Sequence, residues 1–250
     1  MKLYQYWDTG EPPPEVAGWI DGFRSMNPDM QHRLFDRDRA SWFIGKHLGA
    51  RERRAFDACA VPAMQADYFR LCALAAKGGV YVDVDFESRE PMRALVASAP
   101  GGLLALQDGE LINGFMLAPS PANAFIGACL RLATLNVQAA DIPNVYACTG
   151  PGVLSAVWGA IRPKVGHRLL AKMDNPLQES WGFAEVLRRA KSEIVVDDPL
   201  RAAFDALSLA PKAALRRWFV AREVAYKDSG RHWMNWQGSI YAERPKQRPE

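Results

Sequence analysis

Residues 62–88 read PAMQADYFRLCALAAKGGVYVDVDFES, and this stretch decides the fold. Pro62 is placed to open a helix, because its missing N–H is not needed in the first turn. Gly78 is placed to close it, because glycine adopts the left-handed conformation of a helix end. Between them the chain is apolar on nearly every side, which predicts a buried helix. Only Gln65, Asp67, Arg70 and Lys77 are strongly polar. Asp67 and Arg70 are three residues apart and share a face, along with Leu71 and Leu74. Two readings follow for this pair. It is an ion pair that satisfies itself in the core, where desolvation offsets the attraction, or it faces a cleft and binds a polar ligand. The helix alone does not choose.

The next segment, VYVDVDF (80–86), is expected to be a strand. Alternation puts Val80, Val82 and Val84 on one face and Tyr81, Asp83 and Asp85 on the other. A phenol and two carboxylates then form one row at the strand's C-terminal end, the edge where open α/β sheets bind ligands. Two carboxylates that close repel, and one tends to keep its proton. A divalent cation removes the conflict, and oxygen donors suit Mg²⁺ or Mn²⁺. A bare D-x-D occurs by chance in many loops. D-x-x-R, an apolar helix, Gly-Gly, an aromatic and then D-x-D is far more specific.

Outward from this stretch, strands and helices alternate. KLYQYW (2–7) reads as the first strand, and Pro14 as the start of a helix through EVAGWIDGFRSM. The segment NPDMQHRLFD reads as a turn and a strand, and SWFIGKHLGARERRAFDACA as mostly helical. GLLALQDG and NGFMLAP read as two strands joined by a turn. A helix is expected from near Pro121 and another within TGPGVLSAVWGAIR. SEIVVDD (192–198) is expected as a strand, and PKAALRRWFVAREVAY (211–226) as a helix. The pattern predicts an α/β sheet. No linker divides the chain, so residues 1–250 are expected to form one domain.

Composition narrows the function. Nearly half of the 250 residues are hydrophobic, and the formal net charge is only +3. That balance points to neither nucleic acid nor an acidic partner. The N-terminus lacks the apolar core of a signal peptide, and no window is long and apolar enough for a membrane span. Cys59, Cys72, Cys129 and Cys148 are widely spaced, as free thiols of a cytoplasmic protein are, rather than as zinc ligands.

Here the sequence resembles a known family. QADYFRLCALAAKGGVYVDVD (65–85) is similar to the core of the DXD sugar transferases of glycosyltransferase family 32. That group includes yeast initiating α-mannosyltransferases, capsular-polysaccharide transferases and the catalytic core of clostridial glucosylating toxins. The family pattern runs S-D-x-x-R, an apolar helix and G-G-x-Y-x-D-x-D, and Ala66 stands where serine is common. The opening LYQYWDTGEPPPEV, the segment INGFMLAPSPANAFI and the motif TGPGVLS resemble further family stretches in order, covering about two-thirds of the chain.

The resemblance implies a GT-A fold, a Rossmann-like mixed sheet flanked by helices. It also implies retaining transfer of a sugar from a nucleotide donor (a UDP- or GDP-sugar) to a saccharide or glycolipid acceptor, with Mn²⁺ or Mg²⁺. By this likeness Trp7 stacks on the nucleobase, and Asp67 and Arg70 hold the donor sugar and phosphates. Tyr81 and Asp83 contact the donor, Asp85 ligates the metal with Asp83, and Asn113 lies beside the transferring sugar. Many relatives close a C-terminal lid with a histidine and G-S-W. Here the segment at about 226–242 is the counterpart, with His232 as a metal ligand and Ile240 in place of the tryptophan. Asp85, Arg70 and Asn113 form the catalytic set.

Each residue also has a plainer use. Trp7 on a strand is ordinarily a core or rim aromatic, Asn113-Gly114 a turn, Thr149 a helix cap, and a lone His232 structural. His32, His47 and His167 fit no cluster. Leu215, Trp218, Phe219 and Arg222 share one face of the expected basic helix, which suits core packing more than contact with a membrane surface and a lipid-linked acceptor. An inverting enzyme would need a base, for which Asp108 or Glu110 is available. Two other classes compete. Haloacid-dehalogenase-type phosphatases want D-x-D-x-(T/V), but Phe86-Glu87 follows here. A non-catalytic sugar- or nucleotide-binding module of the same fold is the other.

Overall fold

The computed structural model describes residues 1–162, 182–224 and 233–242. Strands β1 (Lys2–Tyr6) and β3 (Gly79–Val82) lie side by side in parallel within a six-stranded sheet, with Leu3 opposite Val80 and Tyr4 opposite Tyr81. β2 (Gln31–Phe35) flanks β1 in parallel. On the other side β6 (Glu110–Ala118) runs antiparallel to β3, β5 (Leu103–Gln107) pairs antiparallel with β6, and β7 (Ser208–Pro211) pairs parallel with β5. This mixed sheet carries helices on both faces, the α/β architecture expected.

Alternation along the strands divides the core in two. Tyr4, Tyr6, Tyr81, Leu104 and Met116 point into a large cluster shared with the helices on one face. Leu3, Val80, Val82, Leu103, Phe115 and Leu117 point into a smaller one with Phe23 and Leu95 on the other. Those two residues belong to α1 (Pro14–Met26) and α5 (Arg93–Ala97). The large face is covered by α2 (Arg37–His47), α3 (Ala50–Asp57), α4 (Pro62–Lys77), α6 (Ala124–Ala139), α7 (Val145–Cys148), α8 (Pro151–Ile161), α9 (Phe183–Glu193) and α10 (Asp198–Asp205).

Helix α4 begins on Pro62 and ends on Gly78, as its sequence predicts. Gly78 and Gly79 both have positive φ, 59° and 118°, and a Cβ on either would stand 2.6 Å from backbone of a neighbouring segment. Only glycine fits so tight a helix-to-strand crossing. Met64, Tyr68, Phe69, Leu71 and Leu74 are fully or almost fully buried. Each such side chain contributes roughly 1.5–3 kcal/mol, enough together to offset the desolvation of the charged pair on the same helix. Buried polar groups pin the helix further. Tyr6 donates to Gln65 Oε1 at 2.8 Å, Gln65 Nε2 donates to the Cys59 carbonyl at 2.8 Å, and the Tyr68 and Thr134 hydroxyls meet at 2.6 Å.

Three expected elements differ. The strand expected over 80–86 is broken: β3 ends at Val82, residues 84–85 turn, and β4 (Phe86–Ser88) starts a separate two-stranded ribbon with β8 (Phe219–Ala221). Val84 accordingly leaves the Val80 and Val82 cluster and packs with Val16, Ile20 and Val224. SEIVVDD is not a strand. It is the end of α9, an extended link and the start of α10, whose cap is Asp197 accepting from the Leu200 N–H at 2.9 Å. Residues 211–226 are not one helix. Among the described residues of this stretch, 211–224, only α11 (Lys212–Leu215) is helical, and β8 follows. Phe219 stacks on Phe86 and Phe115, with ring centroids 5.2 and 4.8 Å apart. An aromatic stack against the sheet outweighs local helix propensity. Over the described residues 211–224 there is therefore no long amphipathic helix of the kind that lies on a membrane surface. Among the described residues, no helix is long and apolar enough to cross a membrane.

Candidate active site

The site forms where β3 ends. Arg70 reaches out of α4, only 3 % exposed, and its guanidinium sits in a ring of acceptors. Nη2 lies 2.9 Å from Asp67 Oδ1 and 3.0 Å from Asp83 Oδ1; Nη1 donates to the Asn113 carbonyl and Nε to that of Ala66. The Tyr81 ring lies 4.5 Å below the guanidinium carbon, and the Tyr81 hydroxyl donates to Asp83 Oδ1 at 3.1 Å. Asn113 Nδ2 closes the circuit by donating to Asp67 Oδ1 at 2.8 Å. The structure thus joins Asp67, Arg70, Tyr81, Asp83 and Asn113 into one buried network, and the ion pair of α4 is part of something larger than itself.

Asp85 follows in the turn, 8 % exposed, with its backbone carbonyl accepting the Arg222 N–H at 2.7 Å. Trp7 comes directly after β1, at the same sheet edge, partly buried against the cluster that contains Val84. It stands on the rim rather than in the core. Asp108 and Glu110 occupy the β5–β6 turn at that edge too. Of the motif residues, Tyr81 is fully buried and Asp67, Arg70 and Asn113 nearly so, while the Asp83 side chain is 31 % exposed. Asp83 therefore has the most exposed side chain of the network. His232 lies outside the described residues. Of the expected lid, residues 233–242 are described. Ile240 is buried in the main core and its carbonyl accepts the Ala60 N–H at 2.9 Å. Tyr241 bridges to Cys59 and donates to the Ile142 carbonyl at 2.7 Å.

Sequence reasoning missed three contributors. Gln5 donates weakly to the Asp83 carbonyl at 3.5 Å and meets His32 Nε2 at 2.8 Å. Gly114, in the segment expected as a strand, lies within β6, where a Cβ would come 2.7 Å from Asp83 Oδ2. The Asp83 carboxylate rests on bare backbone there, and the only signal was a glycine inside a strand-like pattern. The TGPG motif brings Gly150 against Asp67, with 3.0 Å from Asp67 Oδ2 to where a Cβ would sit. Thr149 does not cap α8; Gly150 does, without a side-chain bond.

Burial pushes the Asp83 carboxyl up to about 7. Arg70 pulls it down, while Asp85 and Asp67 push it further up. Asp67 is raised in the same way, chiefly by burial, against the pull of Arg70 and Asn113. Burial alone would lower Arg70, but Asp83, Tyr81, Asp67 and Asp85 hold it above its ordinary value. A carboxyl raised on folding stabilises fully below its unfolded value near 3.8, and that stability is lost as pH rises towards 7. His32, which burial lowers to about 4, slopes the opposite way between about 4 and 6.5. The comparison to make is therefore between the metal-free protein and its Asp83→Asn variant. The variant's melting temperature is expected to gain on the parent's between pH 4 and 8, by about 2–4 °C per kcal/mol of relieved desolvation. A constant difference across that range would show that Asp83 ionises as an ordinary surface carboxylate.

Two carboxylates, one kept partly protonated by its surroundings, are a donor set that a hard divalent cation fits. Among the described residues no group of three or more His, Cys, Asp or Glu side chains is placed to hold a metal. Asp83 and Asp85 would not fill a cation's coordination sphere by themselves.

Comparison with known proteins agrees with this geometry. Residues 13–100 match the family model described as glycosyltransferase sugar-binding region containing DXD motif. Over 85 residues, 32 % of this chain, the sequence is 28 % identical to the initiation-specific alpha-1,6-mannosyltransferase of Schizosaccharomyces pombe; the match spans 22 % of that curated relative's length. In three dimensions the chain resembles the structure titled PaToxG Glycosyltransferase, with a TM-score of 0.51 at 14 % identity, covering 83 % of this chain and 86 % of that one. A likeness at that identity establishes the fold.

Proposed function

Because this chain carries the DXD-containing sugar-binding region of the glycosyltransferases over residues 13–100, we propose that it is a single-domain, metal-dependent retaining glycosyltransferase. The donor is a nucleotide sugar, UDP- or GDP-linked, and the acceptor a saccharide or glycolipid. We place the enzyme in the cytoplasm. The observation that carries the reading is Asp83, held by Arg70 and Tyr81 at the sheet edge two residues before Asp85.

Asp85 and Asp83 would hold Mn²⁺ or Mg²⁺, which when bound neutralises charge on the leaving diphosphate. The chain's own residues do the rest. Arg70 has its nitrogens engaged within the protein, so it positions Asp83 and Asp67 rather than gripping phosphate. Tyr81 fixes the Asp83 rotamer. Asp67, locked by Arg70 and Asn113, presents a carboxylate towards the donor sugar's hydroxyls. Trp7 offers a flat apolar surface to the base. The acceptor hydroxyl would attack on the leaving-group face, the bond from the anomeric carbon to the diphosphate breaking as the new glycosidic bond forms, and the departing phosphate oxygen would take the hydroxyl proton, so no separate side-chain base is needed.

The reading is tested by thermal denaturation with UDP- and GDP-sugars, with and without Mn²⁺. A donor at a hundred times its Kd stabilises by about 2.7 kcal/mol, and the correct one is expected to do so only with the metal and to be hydrolysed slowly. No Mn²⁺-dependent shift with any nucleotide sugar would overturn the proposal. A shift without turnover would leave a binding module. Trp7→Ala is expected to raise the donor KM more than about tenfold, the loss of one base stack, with little change in melting temperature. A large drop in stability with an unchanged KM would make Trp7 a core residue instead.

A further inference from the structure

Beside the D-x-D turn, on the side away from α4, a cleft of about 580 Å³ opens between α1 and the segment after β8, lined by Glu15, Trp19, Ala221, Arg222 and Glu223. Its size is within the range of small-ligand sites. We propose that this cleft is the subsite for a neutral saccharide unit of the acceptor; the assignment rests on the transferase reading above.

Three features carry it. Glu15 and Trp19 are four residues apart on α1 and share a face. An indole beside a carboxylate is the pairing a pyranose needs: its C–H face lies on the ring, and adjacent hydroxyls donate to the carboxylate. Arg222 is fixed for a similar task, because its Nε donates to Glu87 Oε2 at 2.7 Å across the ribbon and orients the guanidinium. The cleft is also joined to the candidate metal site by backbone. The Arg222 N–H bonds the Asp85 carbonyl at 2.7 Å, and Trp19 packs on the same cluster as Val84 and Trp7.

Charge chooses the ligand. Glu15 and Glu223 are negative, and the positive charge of Arg222 is balanced by Glu87. A phosphate or uronate meets repulsion here, whereas hydroxyl donors meet acceptors. The cleft therefore suits the acceptor's neutral sugar rather than the donor's diphosphate.

The experiment uses the full chain labelled at its tryptophan indoles, with the Trp19 signal assigned through Trp19→Phe. Methyl α-glucoside, methyl α-mannoside and methyl α-galactoside are titrated, with glucuronate and then UDP and GDP as separate arms. At least one neutral glycoside is expected to shift the Trp19 signal, and glucuronate is not. Trp19→Ala and, independently, the exposed Glu223→Gln are expected to weaken that glycoside about tenfold or more. Nucleotide affinity and Mn²⁺-dependent donor hydrolysis should change less than twofold. Shifts caused by UDP or GDP but by no glycoside would overturn the proposal and make the cleft part of the donor site. No response to any probe would overturn it as well. Failure of the transferase reading looks different: no variant, nor the parent, then binds a nucleotide sugar. Glu223→Gln keeps the test open should Trp19→Ala fold poorly.

Discussion

Arg70→Met is expected to lower the melting temperature by about 10 °C at pH 8, since breaking a buried ion pair from one side costs roughly 3–5 kcal/mol and a domain of this size loses about 2–4 °C per kcal/mol. The cause is specific. Arg70 is the cation within bonding distance of both Asp67 and Asp83. Without it the two carboxylates keep only neutral donors, Asn113 for Asp67 and the Tyr81 hydroxyl for Asp83, and both rise further above their unfolded values. The loss should shrink at pH 5, where both can be protonated. If the pair on α4 were self-contained, Asp67→Leu with Arg70→Met would restore parental stability by leaving no lone charge. The structure adds Asp83 as a third partner, so the double variant is expected to recover only in part at pH 8 and almost fully at pH 5. Full recovery at both pH values, with transfer intact, would remove the network from the site. Melting curves at the two pH values for the parent, the single and the double variant decide this.

The second large effect concerns Asp85. Asp85→Ala is expected to cut Mn²⁺-dependent transfer on the order of a thousandfold, equivalent to several kcal/mol of lost charge neutralisation, while the fold survives. Survival is expected because the tie to Arg222 uses the Asp85 backbone carbonyl, and Val84 and Phe86 anchor the turn on either side. Removing the charge should also lower the raised Asp83 carboxyl, since Asp85 is among the groups pushing it up. Transfer at the parental rate would reject Asp85 as a ligand. Unfolding would show that the side chain is a structural acceptor.

Much of this was legible in residues 62–88 because the signals there are local and strong. Proline and glycine mark the ends of α4, and an all-round apolar helix is necessarily buried. Tyr81 and Asp83 do share a face, as alternation requires. Asp85 was placed wrongly on the strand because alternation continues on paper through Val84 and Phe86. What breaks it is the pairing of Phe86 with Ala221, a contact between residues far apart in sequence. The same long-range stacking turned the expected helix at 211–226 into β8. Gly114 and Gln5 went unnoticed for a related reason. Their roles come from what lies across the sheet, and neither is unusual in its own segment.

The break between β3 and β4 makes the D-x-D motif a joint. Asp83 belongs to the end of the main sheet, through its N–H on the Gly114 carbonyl, and Asp85 to the ribbon, through its carbonyl on the Arg222 N–H. The two carboxylates that would share one cation are thus mounted on separate platforms, coupled by the Phe86, Phe219 and Phe115 stack. Their spacing is a mechanical variable set by how those rings seat. A volume change at Phe219, in β8, would retune cation affinity without touching either aspartate.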